Sequence, residues 1–152
     1  MSEKVITLLN EARKREIHAI MQYMTQHYEL EDADYGKLGD KLKEIAITEM
    51  KHAETLAERI LFLGGSPITK PEGEIKKNLS IPELLKVDAK IEAEAAKMYN
   101  DSAKACADER DHISKAIFEK ILAEEEDHLD DFQNILDHVE KLGESYLSTL
   151  TG

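Results

Sequence analysis

Two Glu-x-x-His pairs, Glu49/His52 and Glu125/His128, and two isolated glutamates, Glu16 and Glu92, are the residues of this 152-residue chain best suited to chemistry. Residues three apart on a helix lie on one face, so each pair offers a carboxylate and an imidazole to a common ligand. Such a mixed donor set suits iron, and manganese or zinc as well. The pair alone is weak evidence, because the chain contains 21 glutamates. A third match, Glu109/His112, falls at an expected helix break and is set aside. Spacing is more informative. Glu16 and Glu49 are 33 residues apart, and so are Glu92 and Glu125.

Helices must position these residues. Glycine and proline are absent from 1–35, 40–63 and 83–142, stretches rich in Ala, Leu, Glu, Lys and Ile with only three valines in the whole chain. That composition favours helix over strand. Apolar residues recur at helical spacing: Val5, Leu8, Leu9, Ala12, Ala19, Ile20 and Tyr23, then Leu38, Leu42, Ile45, Leu56, Ile60 and Leu63. In the last stretch Ile121, Phe132, Ile135, Val139 and Leu142 share a face. A single helix over 83–142 would be about 90 Å long at 1.5 Å per residue, too long for a domain of this size. The break is expected at 107–111, with Asp108 or Asp111 as a helix cap. Helices are therefore predicted at about 3–33, 38–63, 82–107 and 111–142, with a short fifth at about 144–150 after Gly143. Residues 64–80 carry three of the seven glycines and two of the three prolines, and exceed the 2–8 residues usual between neighbouring bundle helices. The expected fold is all-α: one domain over 1–152, a four-helix bundle with one long crossover between helices 2 and 3, the connectivity of ferritin-like folds.

The polar residues interrupt the apolar faces. Glu16 lies on the first stripe, Glu49 and His52 on the second, and Glu125 and His128 on the fourth. Glu92 shares its face with Leu85, Asp88, Ala95 and Tyr99. Unpaired carboxylates cost several kcal/mol each to bury, unless protons or a cation neutralise them. In an antiparallel pair, residues equidistant from the turn lie level. The midpoints of the two 33-residue intervals fall at or within about a turn of the expected helix breaks. Each half of the chain thus brings a lone Glu level with a Glu-x-x-His, the arrangement of di-iron and di-manganese carboxylate proteins.

On these residues the chain resembles the bacterioferritins over nearly its whole length. The segments that carry the likeness are Glu16–Tyr23 (EIHAIMQY), Glu49–Glu54 (EMKHAE), Arg59–Leu63 (RILFL) and Glu125–His128 (EEDH). The resemblance implies two iron ions per subunit, Glu16 and His52 ligating one, Glu92 and His128 the other, with Glu49 and Glu125 bridging and Tyr23 in the surrounding shell. It implies a ferroxidase that oxidises Fe(II) with O2 or H2O2 and stores the Fe(III) mineral in a cage of twenty-four subunits built from dimers, with a ferredoxin as reductant for release. It also implies haem b or a related haem at a two-fold interface, with Met50 as axial ligand. Met50 follows Glu49 and points about 100° away from the metal face; Met21, Met24, Ile17 and Ile47 are candidates to line the same pocket. The chain departs from the family at Glu44 and Thr48, where relatives often carry a histidine and an acid facing the cavity. The short segment after Gly143 is a second departure.

Other features narrow the reading. A net charge of −12 argues against a nucleic-acid surface, which needs clustered Lys and Arg, and so against a DNA-protecting mini-ferritin. One cysteine, Cys106, excludes an internal disulfide and the cysteine-ligated iron domain of rubrerythrins, and is expected in the core. A small rubrerythrin-like di-metal oxidase or peroxidase without a cage is the alternative. No apolar run approaches the roughly 20 residues of a membrane span, and the opening residues lack a signal-peptide pattern; a cytoplasmic location is the expectation. His18, His27, His112 and His138 have no partner pattern and are expected at the surface or boundary, and Glu124, Glu126 and Asp127 in solvent or facing a cavity.

Overall fold

A computed structural model describes residues 2–152. It contains α1 (Glu3–Asp32), α2 (Gly36–Phe62), α3 (Ile81–Asp108), α4 (His112–Leu142) and a single-turn α5 (Glu144–Leu147), followed by a 3₁₀ turn (Ser148–Leu150). Capping fixes the boundaries. The Ser2 and Ser80 side chains accept from Val5 N and Glu83 N, and Pro82 sits in the first turn of α3, where no intrahelical donor is needed. At the second break Asp111 is the cap, accepting from Ser114 N; Asp108 ends α3 instead. Helix α2 begins at Gly36, two residues earlier than expected. Its glycines 36 and 39 fall in the opening turn, and Gly39 lets the backbone approach α1 closely: its carbonyl accepts from His27 Nδ1–H at 2.7 Å. Gly64 ends α2 at φ 87°, a conformation glycine adopts without strain.

The helices pack as two antiparallel hairpins, α1 with α2 and α3 with α4, joined by the crossover of residues 64–80. Polar side chains of α1 stitch that crossover down. Gln22 donates Nε2–H to Lys76 O at 2.8 Å and accepts from Lys76 N at 2.9 Å. Asn10 does the same with Ser66 O and Ile68 N, and Arg13 donates to the carbonyls of Ile68 and Ala53. Buried amides standing in for backbone partners satisfy a segment that has no ladder of its own.

The two hairpins are structural repeats at a translation of 76 residues. The α1–α2 turn has Asp34 at φ 65° and Tyr35 N donating to Leu30 O at 2.8 Å; the α3–α4 turn has Arg110 at φ 59° and Asp111 N donating to Cys106 O at 2.9 Å. The apolar core is split. One cluster contains Leu9, Leu56, Ile60, Tyr99, Cys106 and Phe118; the other contains Tyr23, Leu38, Leu42, Leu85, Phe132 and Leu150. A polar layer separates them.

Three expectations need correction. His27 is 4 % exposed, buried by its contact with the Gly39 carbonyl. Leu142 is 54 % exposed: Val139, one turn earlier, is the last residue of α4 buried in the core, and the chain turns away at Gly143 (φ 57°). The fifth helix spans only one turn; the rest of 144–150 is 3₁₀ and folds back so that Leu150 enters the second core cluster.

Candidate metal centre

The polar layer consists of Glu16 from α1, Glu49 and His52 from α2, Glu92 from α3, and Glu125 and His128 from α4. All six are buried, none more than 8 % exposed. His52 Nδ1 lies 3.6 Å from Glu16 Oε1, 3.4 Å from Glu49 Oε1 and 3.3 Å from Glu125 Oε1. His128 Nδ1 lies 3.7 Å from Glu92 Oε1, 3.2 Å from Glu49 Oε1 and 3.5 Å from Glu125 Oε1. Glu49 and Glu125 therefore face both imidazoles, whereas Glu16 faces only His52 and Glu92 only His128. The six form two four-residue groups sharing Glu49 and Glu125, with the donor atoms of each group within 4.8 Å of one another.

These donors fit metal ions better than they fit one another. Glu16 Oε2, both oxygens of Glu49, Glu92 Oε2, Glu125 Oε1 and both Nδ1 atoms are buried without a hydrogen-bond partner among the described residues. Buried polar groups are normally paired. Two donors bound to one ion at about 2.1 Å lie about 3.0–3.4 Å apart in tetrahedral or octahedral geometry, close to the separations above.

Electrostatics report the same crowding. Burial, then the charge of Glu125, raises the pKa of Glu16. Burial, then Glu16 and Glu125, pushes Glu49 well above the usual carboxylate range; burial and Glu125 do so for Glu92. Burial alone would lower the imidazoles, but the surrounding carboxylates of Glu125, Glu16 and Glu49 hold His52 well above its ordinary value. The same opposition, with Glu125, Glu49 and Glu92 prevailing, raises His128 to about 12. Glu125 is the opposite case: burial would raise it, and the nearby imidazoles of His128 and His52, 3.5 and 3.3 Å away, hold it well below the usual carboxylate range.

Tyr23 donates a 2.6 Å hydrogen bond to Glu92 Oε1, and Tyr99 a 2.6 Å bond to Glu16 Oε1. Burial, then the adjacent carboxylates, pushes both phenols well above their ordinary pKa, so they remain donors. Tyr23 was an expected neighbour of the centre. Tyr99, lying on an apolar stripe, was legible only as core; its signal is the 76-residue translation that carries Tyr23 onto it. Glu126 and Asp127 are exposed as expected, but Glu124 hydrogen-bonds His52 Nε2. Asp88, one turn before Glu92, is fully buried with neither oxygen partnered among the described residues, and burial pushes its carboxyl well above the usual range.

Met50 lies outside this layer. It is 49 % exposed while the preceding Glu49 is fully buried, and Met21 and Ile47 are exposed as well. Cys106 is buried, and burial raises its thiol to about 11, which keeps it protonated and packs it as a small hydrophobe. Among the described residues, no helix is long and apolar enough to cross a membrane.

A family model described as a ferritin-like domain matches residues 6–142. The chain is 44 % identical over 149 residues to the bacterioferritin of Desulfovibrio desulfuricans, covering 98 % of this chain and 83 % of that one. It is 36 % identical over 141 residues to the bacterioferritin of Brucella melitensis, with 93 % and 88 % covered. An X-ray structure of the D. desulfuricans bacterioferritin, solved for its diiron site in different catalytic states, matches with a TM-score of 0.96 at 44 % identity over 98 % of this chain and 87 % of that chain. The structure of a Mycobacterium tuberculosis bacterioferritin matches with a TM-score of 0.95 at 29 % identity, over 100 % and 96 %.

Proposed function

The chain belongs to the bacterioferritin family, and from that premise we propose that it stores iron after oxidising Fe(II) at the buried layer of Glu16, Glu49, His52, Glu92, Glu125 and His128. The observation that carries this reading is the placement of Glu49 and Glu125 between two imidazoles, each with its own terminal glutamate. Glu16 and His52 would hold one iron ion and Glu92 and His128 the other, with Glu49 and Glu125 shared between the two groups. When bound, two Fe(II) would supply one electron each to a two-electron oxidant, O2 being reduced to H2O2 or H2O2 to water with uptake of two protons.

The protein's own contribution is positional and electrostatic. Four carboxylates neutralise the cations' charge in a site from which the two apolar clusters exclude bulk water, where electrostatic attraction is stronger than in solvent. Tyr23 and Tyr99 fix the terminal glutamates by donating to Oε1, leaving Oε2 of each for an ion. Outer-shell partners of this kind set ligand orientation.

The storage reading also requires a cage. Leu61, Phe62, Ile113 and Tyr28 are each more than 60 % exposed in the single chain, a pattern expected of surfaces that pack against other subunits. A homo-oligomeric shell of twenty-four chains built from dimers buries such residues. Met50, exposed on the outer surface of α2 as Ile47 is, and as Met21 is on α1, would be the axial ligand of a haem b group between two copies of the chain, each supplying one thioether; thioether ligation of haem iron is ordinary chemistry. A cytoplasmic site of action follows the same reading.

Native light scattering together with stopped-flow Fe(II) oxidation tests the proposal. A very large assembly with fast oxidation, slowed at least ~10-fold in His128→Ala, is the expected result. Equal initial rates for the two proteins would remove the catalytic assignment. A monomer or dimer would favour the small oxidase.

A further inference from the structure

The 76-residue repeat maps almost every member of the centre onto a counterpart: Glu16 onto Glu92, Tyr23 onto Tyr99, Glu49 onto Glu125 and His52 onto His128. Glu124 breaks it. Its counterpart is Thr48, whose hydroxyl donates to its own helix at Glu44 O, 3.4 Å away. The consequence falls on the histidines. His52 presents Nδ1 to three carboxylates and its Nε2 is hydrogen-bonded to the Glu124 carboxylate from across the bundle. His128 presents Nδ1 in the same way, but its Nε2 has no protein partner among the described residues. A histidine whose outer N–H is held by a carboxylate has its tautomer and ring orientation fixed and is a stronger base toward a metal. The Glu124 side chain, 43 % exposed, keeps much of its hydration while making this bond, which lowers the cost of holding a charge there. Together with Thr48, Thr55 and Lys120 it lines a small pocket between α2 and α4 that opens onto His52.

We propose that Glu124 is a positioning residue for His52, and that the lack of a carboxylate at the repeat-equivalent position, Thr48, makes the two metal subsites unequal. The subsite of Glu16 and His52 binds its ion more tightly and fills first; that of Glu92 and His128 is the weaker. This rests on reading the six-residue layer as a di-metal centre. Glu124 is not a ligand in this scheme, since it meets the outer nitrogen of the ring and not the space between the carboxylates.

Equilibrium titration of the metal-stripped full-length protein with Co(II), followed by its visible absorption against a competing chelator, reads affinity without turnover and is independent of how the ion enters. The wild-type protein is expected to fill in two steps. In a His128→Ala background, which leaves the Glu16/His52 subsite, Glu124→Gln weakens binding by roughly 10–100-fold. In a His52→Ala background the same substitution has no effect. Weakening in both backgrounds to the same degree, or in neither, overturns the proposal. Should Glu124→Gln fail to assemble, Thr48→Glu in the His52→Ala background decides: it supplies the missing carboxylate to His128, and tighter Co(II) binding supports the inference while unchanged affinity overturns it. Absence of Co(II) binding to the wild-type protein would instead defeat the di-metal reading itself.

Discussion

Tyr99 on α3 donates its phenolic hydrogen to Glu16 on α1 at 2.6 Å, reproducing across the pseudo-symmetry of the bundle the bond from Tyr23 to Glu92 at the same distance. Each terminal glutamate is thereby tethered by a residue from the opposite hairpin. The two tyrosines also anchor the flanking cores, Tyr23 against Phe132 with ring centroids 5.5 Å apart and Tyr99 against Phe118 at 5.8 Å. The polar layer and the apolar core are thus held by the same side chains.

Tyr99→Phe keeps the ring packing and removes only the donor. Leaving a buried oxygen unpaired costs about 1–3 kcal/mol, and for a chain of this length each kcal/mol corresponds to about 2–4 °C in Tm. The metal-stripped variant is therefore expected to melt several degrees below the wild type, and Tyr23→Phe by a similar margin. Differential scanning calorimetry in the presence of a chelator checks this. An unchanged Tm for Tyr99→Phe would mean that the bond contributes nothing to the fold.

The centre's own acids and imidazoles were legible because glutamate and histidine are conspicuous on an apolar helical stripe, and because equal 33-residue intervals imply equal levels in two antiparallel hairpins. Tyr99 was not, since a phenol on such a stripe is indistinguishable from core until a carboxylate is found opposite it. Gln22 and Asn10 carry no signal in the sequence for a related reason. Their partners are the backbone of residues 66–76, and no side-chain pattern in the crossover marks where it lies. Glu124 sits in an acidic run, and only the packing of α4 against α2 singles it out from Glu126 and Asp127.

Metal uptake should release protons. The pKa values of Glu16, Glu49 and Glu92 are raised by burial and by one another or Glu125, and those of His52 and His128 are raised by the carboxylates. A raised pKa favours the protonated form of a donor, whereas a metal requires the deprotonated form. Apparent affinity therefore falls as pH decreases, because protons compete for the same atoms. Co(II) titrations in weakly buffered solution with an indicator dye should show net proton release, and binding that weakens from about pH 8 to about pH 6. Affinity independent of pH over that interval would contradict the assignment of these groups as ligands.

Met50 is the single residue on which the haem proposal turns. Glu49 next to it is fully buried, and Met50 is 49 % exposed, so Met50→Leu alters the outer surface and leaves the metal layer intact. Protein reconstituted with haem b is expected to show the absorption of a ligated haem, with half as many haems as chains. Met50→Leu should abolish that spectrum while keeping rapid Fe(II) oxidation. A wild-type protein that takes up no haem, or a variant with an unaltered spectrum, would remove Met50 as the ligand.

The crossover gives the last test, because its path along the bundle depends on a few side chains rather than on secondary structure. Gln22 is 1 % exposed, and its amide makes two bonds, at 2.8 and 2.9 Å, to the backbone of Lys76. Gln22→Leu retains the volume but withdraws both partners from Lys76, whose N–H and C=O must then find water. With a typical net value of about 0.5–1.5 kcal/mol per hydrogen bond, the loss of two is enough to populate a locally detached crossover without unfolding the helices, which have their own packed faces. Trypsin cleavage after Lys76 and Lys77 should accelerate in Gln22→Leu, while circular dichroism at the same temperature stays unchanged. Cleavage at the wild-type rate would show that Arg13 and Asn10 alone suffice to hold the segment in place.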